Sequence, residues 1–399
     1  MAALILTVLV ALFAGLLHFI YDGYLRCLRI IDHFTARSDH NVPHAEVGLP
    51  SIAVLIAVHN EAHQIVERVQ NVLAQDYPRD LLEVIVASDG STDHLATVVA
   101  EHFGEDVRLV NADRRGGKSL IQNRAIEATS ASIVLFSDAD TRFKPGFLRA
   151  LVAPFADECV GAVQAHLLFV PADPSSPLAG QDRYWRSELE IRKLEARLGI
   201  LAVASGACIA LRRELWRELD PGIGEDCVIP LDVVLQSRKV AYAEDAIAYE
   251  PTQDELGNVI GTRARMTLRN WQGTWSRSAL LNPFTHPGYA FALWSHKILR
   301  WLSPVWLLGL SISAFALPFV SSSIALLLPA AAMVTFYFLA TVGGLAQARS
   351  RRVPLCTAVY AFILANVGFL SGLVKAARGV TISGYRNQPV PAAAPVNRS

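Results

Sequence analysis

The chain has 399 residues, with 36 Lys and Arg against 36 Asp and Glu, five Cys, 52% hydrophobic residues and only 18% charged ones. A typical soluble chain is about 25% charged, and zero net charge lacks the basic surplus of a nucleic-acid protein. These figures argue against disorder, a secreted disulfide scaffold, a nucleic-acid partner and a wholly soluble enzyme.

The missing charge has a location. No Asp, Glu, Lys or Arg occurs in 1–21, 301–348 or 353–374, and the 72 charged residues make up about 23% of the other 308. The chain therefore reads as a near-normal soluble domain joined to membrane segments. Residues 1–20 are apolar enough to cross a bilayer, which takes about 20 residues. They lack basic residues before the apolar run and a small-x-small cleavage site after it, so an uncleaved anchor over 1–21 is expected rather than a signal peptide. Arg26, Arg29 and Arg37 follow it, and the positive-inside rule puts the next domain, 45–285, in the cytoplasm.

Within that domain the apolar run Ile52–Val58 predicts a buried strand. A helical pattern over 61–75, a strand at 83–87, a helix from Asp93, a strand at 107–110, a helix at 119–129 and a strand at 133–136 follow. Continuous apolar strands separated by single helices predict an α/β domain with a mostly parallel sheet covered on both faces. Residues 183–198 set Tyr184, Leu189, Ile191 and Leu194 among charges, the pattern of a surface helix against membrane or sheet. Residues 287–302 mix Phe291, Leu293, Trp294 and Trp301 with His296, Lys297 and Arg300, which suits a helix lying in the membrane interface.

Three membrane helices are expected within 303–378, at 304–320, 324–346 and 354–374, the first two parted by Ser321, Ser322 and Ser323. Arg349, Arg351 and Arg352 fit a cytoplasmic loop after two crossings. Lys375, Arg378 and Arg386 favour that same side, in conflict with a full last crossing. The Pro/Ala stretch within 379–399 reads as a flexible tail. Cys27, Cys159, Cys208, Cys227 and Cys356 are scattered and never spaced as CxxC, so they read as buried or idle thiols.

Ligands of parallel sheets bind at the carboxyl ends of the strands, and four of those ends carry polar sets: His59-Asn60-Glu61, Asp89-Gly90-Ser91-Thr92-Asp93, Arg114-Arg115-Gly116-Gly117-Lys118 and Asp138-Ala139-Asp140. Each alone has a plain explanation, such as a helix cap or a turn; together at one sheet edge they describe a site. Asp138 and Asp140 leaving an apolar strand can hold a hard divalent cation. Lys118, beside two glycines at a helix start, is placed to meet phosphate through its charge and free backbone N–H groups. Asp89 and Asp93 would repel phosphate and suit hydrogen bonds from a base or ribose. No GxxxxGK[ST] is present, so the set describes a metal-bound nucleoside diphosphate rather than a P-loop triphosphate.

VHNE at 58–61, DGSTD at 89–93, GGKS at 116–119 and DAD at 138–140 resemble the membrane-integrated family 2 glycosyltransferases, related to cellulose, chitin, hyaluronan and poly-N-acetylglucosamine synthases. The resemblance runs over about 50–275 and implies a GT-A-type, Rossmann-like domain with one N-terminal and about three C-terminal membrane helices. It implies that Asp89 binds the uracil end, with Asn60, Glu61 and Ser91 on the nucleotide side and Lys118 near it. Asp138 would contact the nucleotide-sugar and Asp140 would bind Mg²⁺ or Mn²⁺ on the diphosphate. Gly224-Glu225-Asp226 stands where the family has Thr-Glu-Asp, which makes Asp226 the candidate general base beside Glu225. The family's Gln-x-x-Arg-Trp is altered here: Arg269 and Trp271 are separated by Asn270 and no Gln stands three residues ahead of the Arg. Arg265 and Arg269, four apart, would share one helix face and clamp diphosphate, while the alteration puts processivity in doubt. Ser205-Gly206-Ala207-Cys208 resembles the acceptor-side strand, where Cys208 lines the acceptor pocket or is simply packed.

The expectation is an inverting, UDP-sugar-dependent enzyme, multi-pass in the inner or plasma membrane with its catalytic domain in the cytoplasm. It would extend a cell-surface polysaccharide, with self-association or an export partner completing a path through the membrane. The alternative is transfer of one sugar to a lipid or lipid-linked acceptor. A third reading, an inactive membrane scaffold, predicts loss of the metal or base carboxylates, and Asp138, Asp140 and Asp226 are all present.

Overall fold

The computed structural model describes residues 1–35, 48–171, 182–252, 259–349, 351 and 353–381. Its centre is an eight-stranded sheet in the order β3-β2-β1-β4-β7-β6-β8-β5. The strands β1 (Ile52–Val58), β2 (Leu82–Ser88), β3 (Arg108–Asn111) and β4 (Ile133–Asp138) run parallel, as the apolar runs predict. Their side chains alternate between two cores. Ile52, Val54 and Ile56 pack with Ile65, Val69 and Val72 of helix Ala62–Leu73, while Ala53 and Leu55 face Ile121 and Ala125 of helix Lys118–Glu127. In register, Val58 stands opposite Ser88 and Ala57 opposite Asp138, so the polar sets that follow emerge along one edge.

Beyond β4 the direction reverses. The strands β5 (Arg142–Phe143), β6 (Val160–Pro171), β7 (Cys208–Arg212) and β8 (Lys239–Thr252) complete the sheet, with β7 antiparallel to β4 and to β6, β6 parallel to β8, and β5 antiparallel to β8. The sheet is therefore mixed. The turn of direction brings Cys208 of β7 opposite Ser137 of β4, and the short β5 sets Arg142 opposite Tyr249. This pairing folds the turn that carries Asp140 back towards the end of β8.

Four described helices are long and apolar enough to cross a membrane: Ala2–Phe34, Ser303–Val320, Ile324–Ala348 and Pro354–Ala377. The first continues past the expected anchor, because its second half is amphipathic and has a partner. Tyr24 and Leu28 are buried against Ile191 and Leu194 of helix Asp182–Arg197. Helix Ser303–Val320 runs through Pro318 and ends before Ser321. The last helix lies along helix Val259–Ser276, and a Cβ at Gly368 or Gly372 would come within 2.6 Å of the Cβ of Arg263 or Thr267. Two glycines four apart let the backbones approach this closely. No disulfide joins the described cysteines; Cys208, Cys227 and Cys356 are buried thiols. Arg37, Arg352, Arg386 and the 382–399 part of the tail lie outside the described residues, as does the side chain of Tyr184.

Candidate active site

Asp138 at the end of β4, Asp140 beyond it and Glu250 near the end of β8 bring carboxylate oxygens within 4.8 Å of one another, all partly buried. Burial, followed by repulsion from Asp138, pushes Asp140 up to about 6. Burial and then Asp138 and Asp140 push Glu250 up to about 8. Glu61 is also raised to about 8, by burial and then by Asp140 and Asp138. Half-buried carboxylates that repel one another are the donor set a hard divalent cation takes, so these residues fit such an ion. Sequence reasoning missed Glu250. It stands 110 positions from Asp140, and only the β5–β8 pairing brings it near.

Lys118 joins this cluster to the next. Its Nζ lies 2.5 Å from Asp138 Oδ1 and 2.7 Å from Glu225 Oε1. Glu225 is 1% exposed; burial alone would raise it, but Lys118 and then Arg269 hold it below its usual value. Its neighbour Asp226 moves the other way, pushed up by burial and by the charge on Glu225. The pair opens helix Glu225–Leu235, and the loop before it is pinned to helix Lys118–Glu127. Ser119 Oγ donates to the Ile223 carbonyl at 2.5 Å, while Asn123 donates to the Leu219 carbonyl at 3.0 Å and accepts from its N–H at 2.9 Å. Arg269 Nε donates to the Gly222 carbonyl at 3.0 Å. A Cβ on Gly224 would meet both the Arg269 guanidinium and Asp226 Oδ1, so base candidate and arginine close in on this backbone position from two sides.

The first two loops are fixed by each other. Asn60, at φ +58°, accepts through Oδ1 from the Thr92 N–H at 2.7 Å, and its own N–H donates to Ser91 Oγ at 3.1 Å. Asp93 Oδ2 accepts from the Ala62 N–H at 2.9 Å, capping helix Ala62–Leu73 from another loop. Asp89, 6% exposed, accepts from the Gly116 and Gly117 N–H groups at 2.7 and 2.9–3.0 Å. The glycine N–H groups that the sequence reading offered to phosphate are therefore engaged by Asp89. Gly90 has φ +62°, and a Cβ there would lie 2.5 Å from the Arg114 carbonyl carbon and the Arg115 nitrogen, so this contact needs glycine.

Beneath the site, Arg68 is fully buried and donates to Ser137 Oγ at 2.8 Å and to the Asp138 carbonyl at 3.2 Å, with its guanidinium 4.0 Å from the Phe143 ring centre. Burial, with Arg142 adding to it, pushes Arg68 down to about 9. The sequence signal was an arginine on the apolar face of Ile65, Val69 and Val72. Cys208 is packed, at 0% exposure, beside Gln164. Arg265 lies one turn before Arg269 on helix Val259–Ser276. Trp271 is half-buried, with ring centres 5.5 Å from Trp275 and 6.0 Å from Trp301.

The profile of the "Glycosyltransferase like family 2" matches residues 50–268, and the chain belongs to that family. It is 24% identical over 245 residues to a β-monoglucosyldiacylglycerol synthase of a Nostoc species, covering 60% of this chain and 51% of that one. It is 27% identical over 242 residues to an N-acetylglucosaminyltransferase of Mesorhizobium japonicum, covering 56% and 57%. The chain thus spans about half the length of the curated relatives it matches. Among solved structures, the mannosyltransferase PcManGT from Pyrobaculum calidifontis, in complex with GDP-Man and Mn²⁺, aligns with TM-score 0.69 at 23% identity over 92% of this chain and 99% of that one. Fold and family together define a membrane-associated GT-A glycosyltransferase.

Proposed function

We propose that this enzyme moves a sugar from a UDP-sugar, with inversion, to a lipid or lipid-linked acceptor at the cytoplasmic face of the inner or plasma membrane, through which its apolar helices pass several times. The observation that carries the reading is the placement of helix Val259–Ser276. It bears Arg269 beside Asp226, with Arg265 one turn earlier, and it is packed along a membrane-length helix at Gly368 and Gly372. This packing supports a reacting edge held close to the bilayer.

Asp226, raised by its surroundings, takes the proton of the acceptor hydroxyl as that oxygen attacks the anomeric carbon. The bond from this carbon to the diphosphate oxygen breaks on the opposite face, so one displacement inverts the configuration. Asp138, Asp140 and Glu250 would hold Mg²⁺ or Mn²⁺, which when bound offsets charge on the departing diphosphate. Arg265 and Arg269 meet the diphosphate from the helix side, and Asn60, Glu61, Asp89, Ser91 and Trp271 shape the nucleotide end. Glu225 holds Lys118 against Asp138 and so fixes the helix start that carries the base to the strand end that carries the metal ligands. The diacylglycerol-linked product in the name of the Nostoc relative supports the lipid acceptor, and the GDP-Man and Mn²⁺ of the Pyrobaculum structure support a nucleotide-sugar donor with a divalent cation.

Elongation of a polysaccharide is the second reading, supported by the N-acetylglucosaminyltransferases among the relatives. The deciding experiment supplies the purified chain in lipid with a panel of radiolabelled UDP-sugars and sizes the product. A single-sugar glycolipid supports the first reading, a polymer the second, and no product from any UDP-sugar overturns the donor assignment.

A further inference from the structure

Helix Asp182–Arg197 carries Glu188, Arg192 and Glu195 at spacings of four and three, which puts them on one helix face. They are 5%, 9% and 0% exposed. Other elements engage both carboxylates. Glu195 Oε1 accepts from the Tyr24 hydroxyl at 2.8 Å and lies 2.8 Å from His296 Nδ1. Glu188 pairs with Arg300 and lies 3.2 Å from His296 Nε2. Burial alone would raise Glu188, but Arg300 and His296 hold it well below its usual value.

Arg192 stands between the two along the helix and pairs with neither. Among the described residues its Nε has no hydrogen-bond partner, and Glu195 Oε2 has none either. Lys297, next to His296, is half-buried and makes no ion pair or hydrogen bond among the described residues. Burial, with the like charges of Arg192 and Arg300 and against the pull of Glu188, brings Lys297 down to about 8. Among the described residues, Arg192, Lys297 and Arg300, with His296 between the two carboxylates, outnumber Glu188 and Glu195, which leaves the cluster with a positive surplus. A buried cation without a counter-ion is costly, and an oxyanion bound here removes that cost.

Two placements say which oxyanion. Arg192 is within electrostatic reach of Cys208 and Tyr242 on β7 and β8, and Cys208 in turn of Glu250 and Asp138, so the surplus adjoins the reaction edge. Lys297 lies six residues ahead of the membrane-length helix that begins at Ser303, among Trp294, Trp301 and Trp306. Tryptophans and cations of this kind mark the headgroup level of a bilayer. We infer that Arg192 and Lys297 form the subsite for the phosphate of a lipid-linked acceptor, holding it at the membrane surface while its hydroxyl reaches Asp226. The inference rests on the lipid-acceptor reading above.

The test uses the full chain in phosphatidylcholine nanodiscs, titrated with dioctanoyl phosphatidate, with uncharged dioctanoylglycerol and with inorganic phosphate. The expected result is saturable phosphatidate binding at least tenfold tighter than that of either other probe. Arg192→Gln and Lys297→Gln should each weaken it at least fivefold, Arg192→Lys should keep most of it, and UDP affinity should not change. Lys297→Gln, at a position less buried than Arg192, decides the matter if Arg192→Gln does not fold. Equal binding of phosphatidate and dioctanoylglycerol, phosphatidate binding untouched by the variants, or inorganic phosphate binding as tightly as phosphatidate would each overturn the site. Phosphatidate binding that depends on Arg192 and Lys297 in a chain that glycosylates no lipid would leave the anion site standing and overturn the lipid-acceptor reading instead.

Discussion

Two ionic clusters in this molecule carry opposite surpluses. At the sheet edge, Asp138, Asp140, Glu250 and Glu61 crowd around the single ammonium of Lys118, and three of those carboxyls are pushed upward by burial and by each other. Beneath helix Asp182–Arg197, Glu188 and Glu195 are outnumbered by Arg192, Lys297 and Arg300. A chain whose formal charge is zero overall thus holds a negative cluster and a positive one. The two surpluses have opposite signs, and the ligands proposed above, a divalent cation for one and an oxyanion for the other, follow those signs.

The sharpest way to break the comparison is at the base. Asp226→Asn should lower kcat about 10³-fold, within the range for a positioned general base, while calorimetry finds UDP affinity unchanged; a loss below tenfold would move the base elsewhere. Next comes the membrane-side cluster. Glu188→Gln leaves Arg300 buried without its counter-charge, a loss of about 3–5 kcal/mol for a broken buried pair, and thermal unfolding should show a melting point lower by several degrees. An unchanged melting point would mean that Glu188 is not needed to compensate Arg300.

Asp140→Asn should weaken Mn²⁺ binding about 10–100-fold or more, since losing even an outer partner of a metal ligand costs that much; a spin-resonance titration measures it. The smallest effect is the pH dependence. Asp140 and Glu250 are raised to about 6 and about 8, so at pH 6 they bind protons that a cation must displace. Mn²⁺ affinity should therefore climb between pH 6 and pH 8 and release protons as it does. The same sign applies to stability: a carboxyl raised on folding favours the native state at low pH and loses that contribution as the pH rises above its unfolded value through its folded one. Glu250→Gln should then raise the melting point of the metal-free chain at pH 8.5 by about 2–4 °C, opposite in sign to Glu188→Gln. A fall on both substitutions would erase the distinction between the clusters.

The parallel half of the sheet was legible in the sequence because its strands are short, apolar and each followed at once by polar residues, as Ile52–Val58 and His59 illustrate. The second half was not. Strand β6 pairs with β8 through two register irregularities, one between Ala165 and His166, and such pairing leaves no clean alternation to read. Glu250 was invisible for the same reason. Asp138, Asp140 and Asp226 could be named from motifs, but the engagement of Asp89 with Gly116 and Gly117 depends on how two loops approach. Residues 183–198 read as a surface helix against membrane or sheet, with its charges outward because charges normally face water; Glu188 and Glu195 are inside since Tyr24, His296 and Arg300 come from elements far away in sequence to meet them.

The unbroken helix Ala2–Phe34 has 33 residues, about 50 Å at 1.5 Å per residue, whereas a bilayer's hydrocarbon is about 30 Å thick. The excess of about 20 Å is a rigid stalk, and it ends in the catalytic domain at Tyr24 and Leu28. On the membrane placement proposed above, it would act as a gauge of stand-off, setting how far above the lipid tails the sugar is handed over.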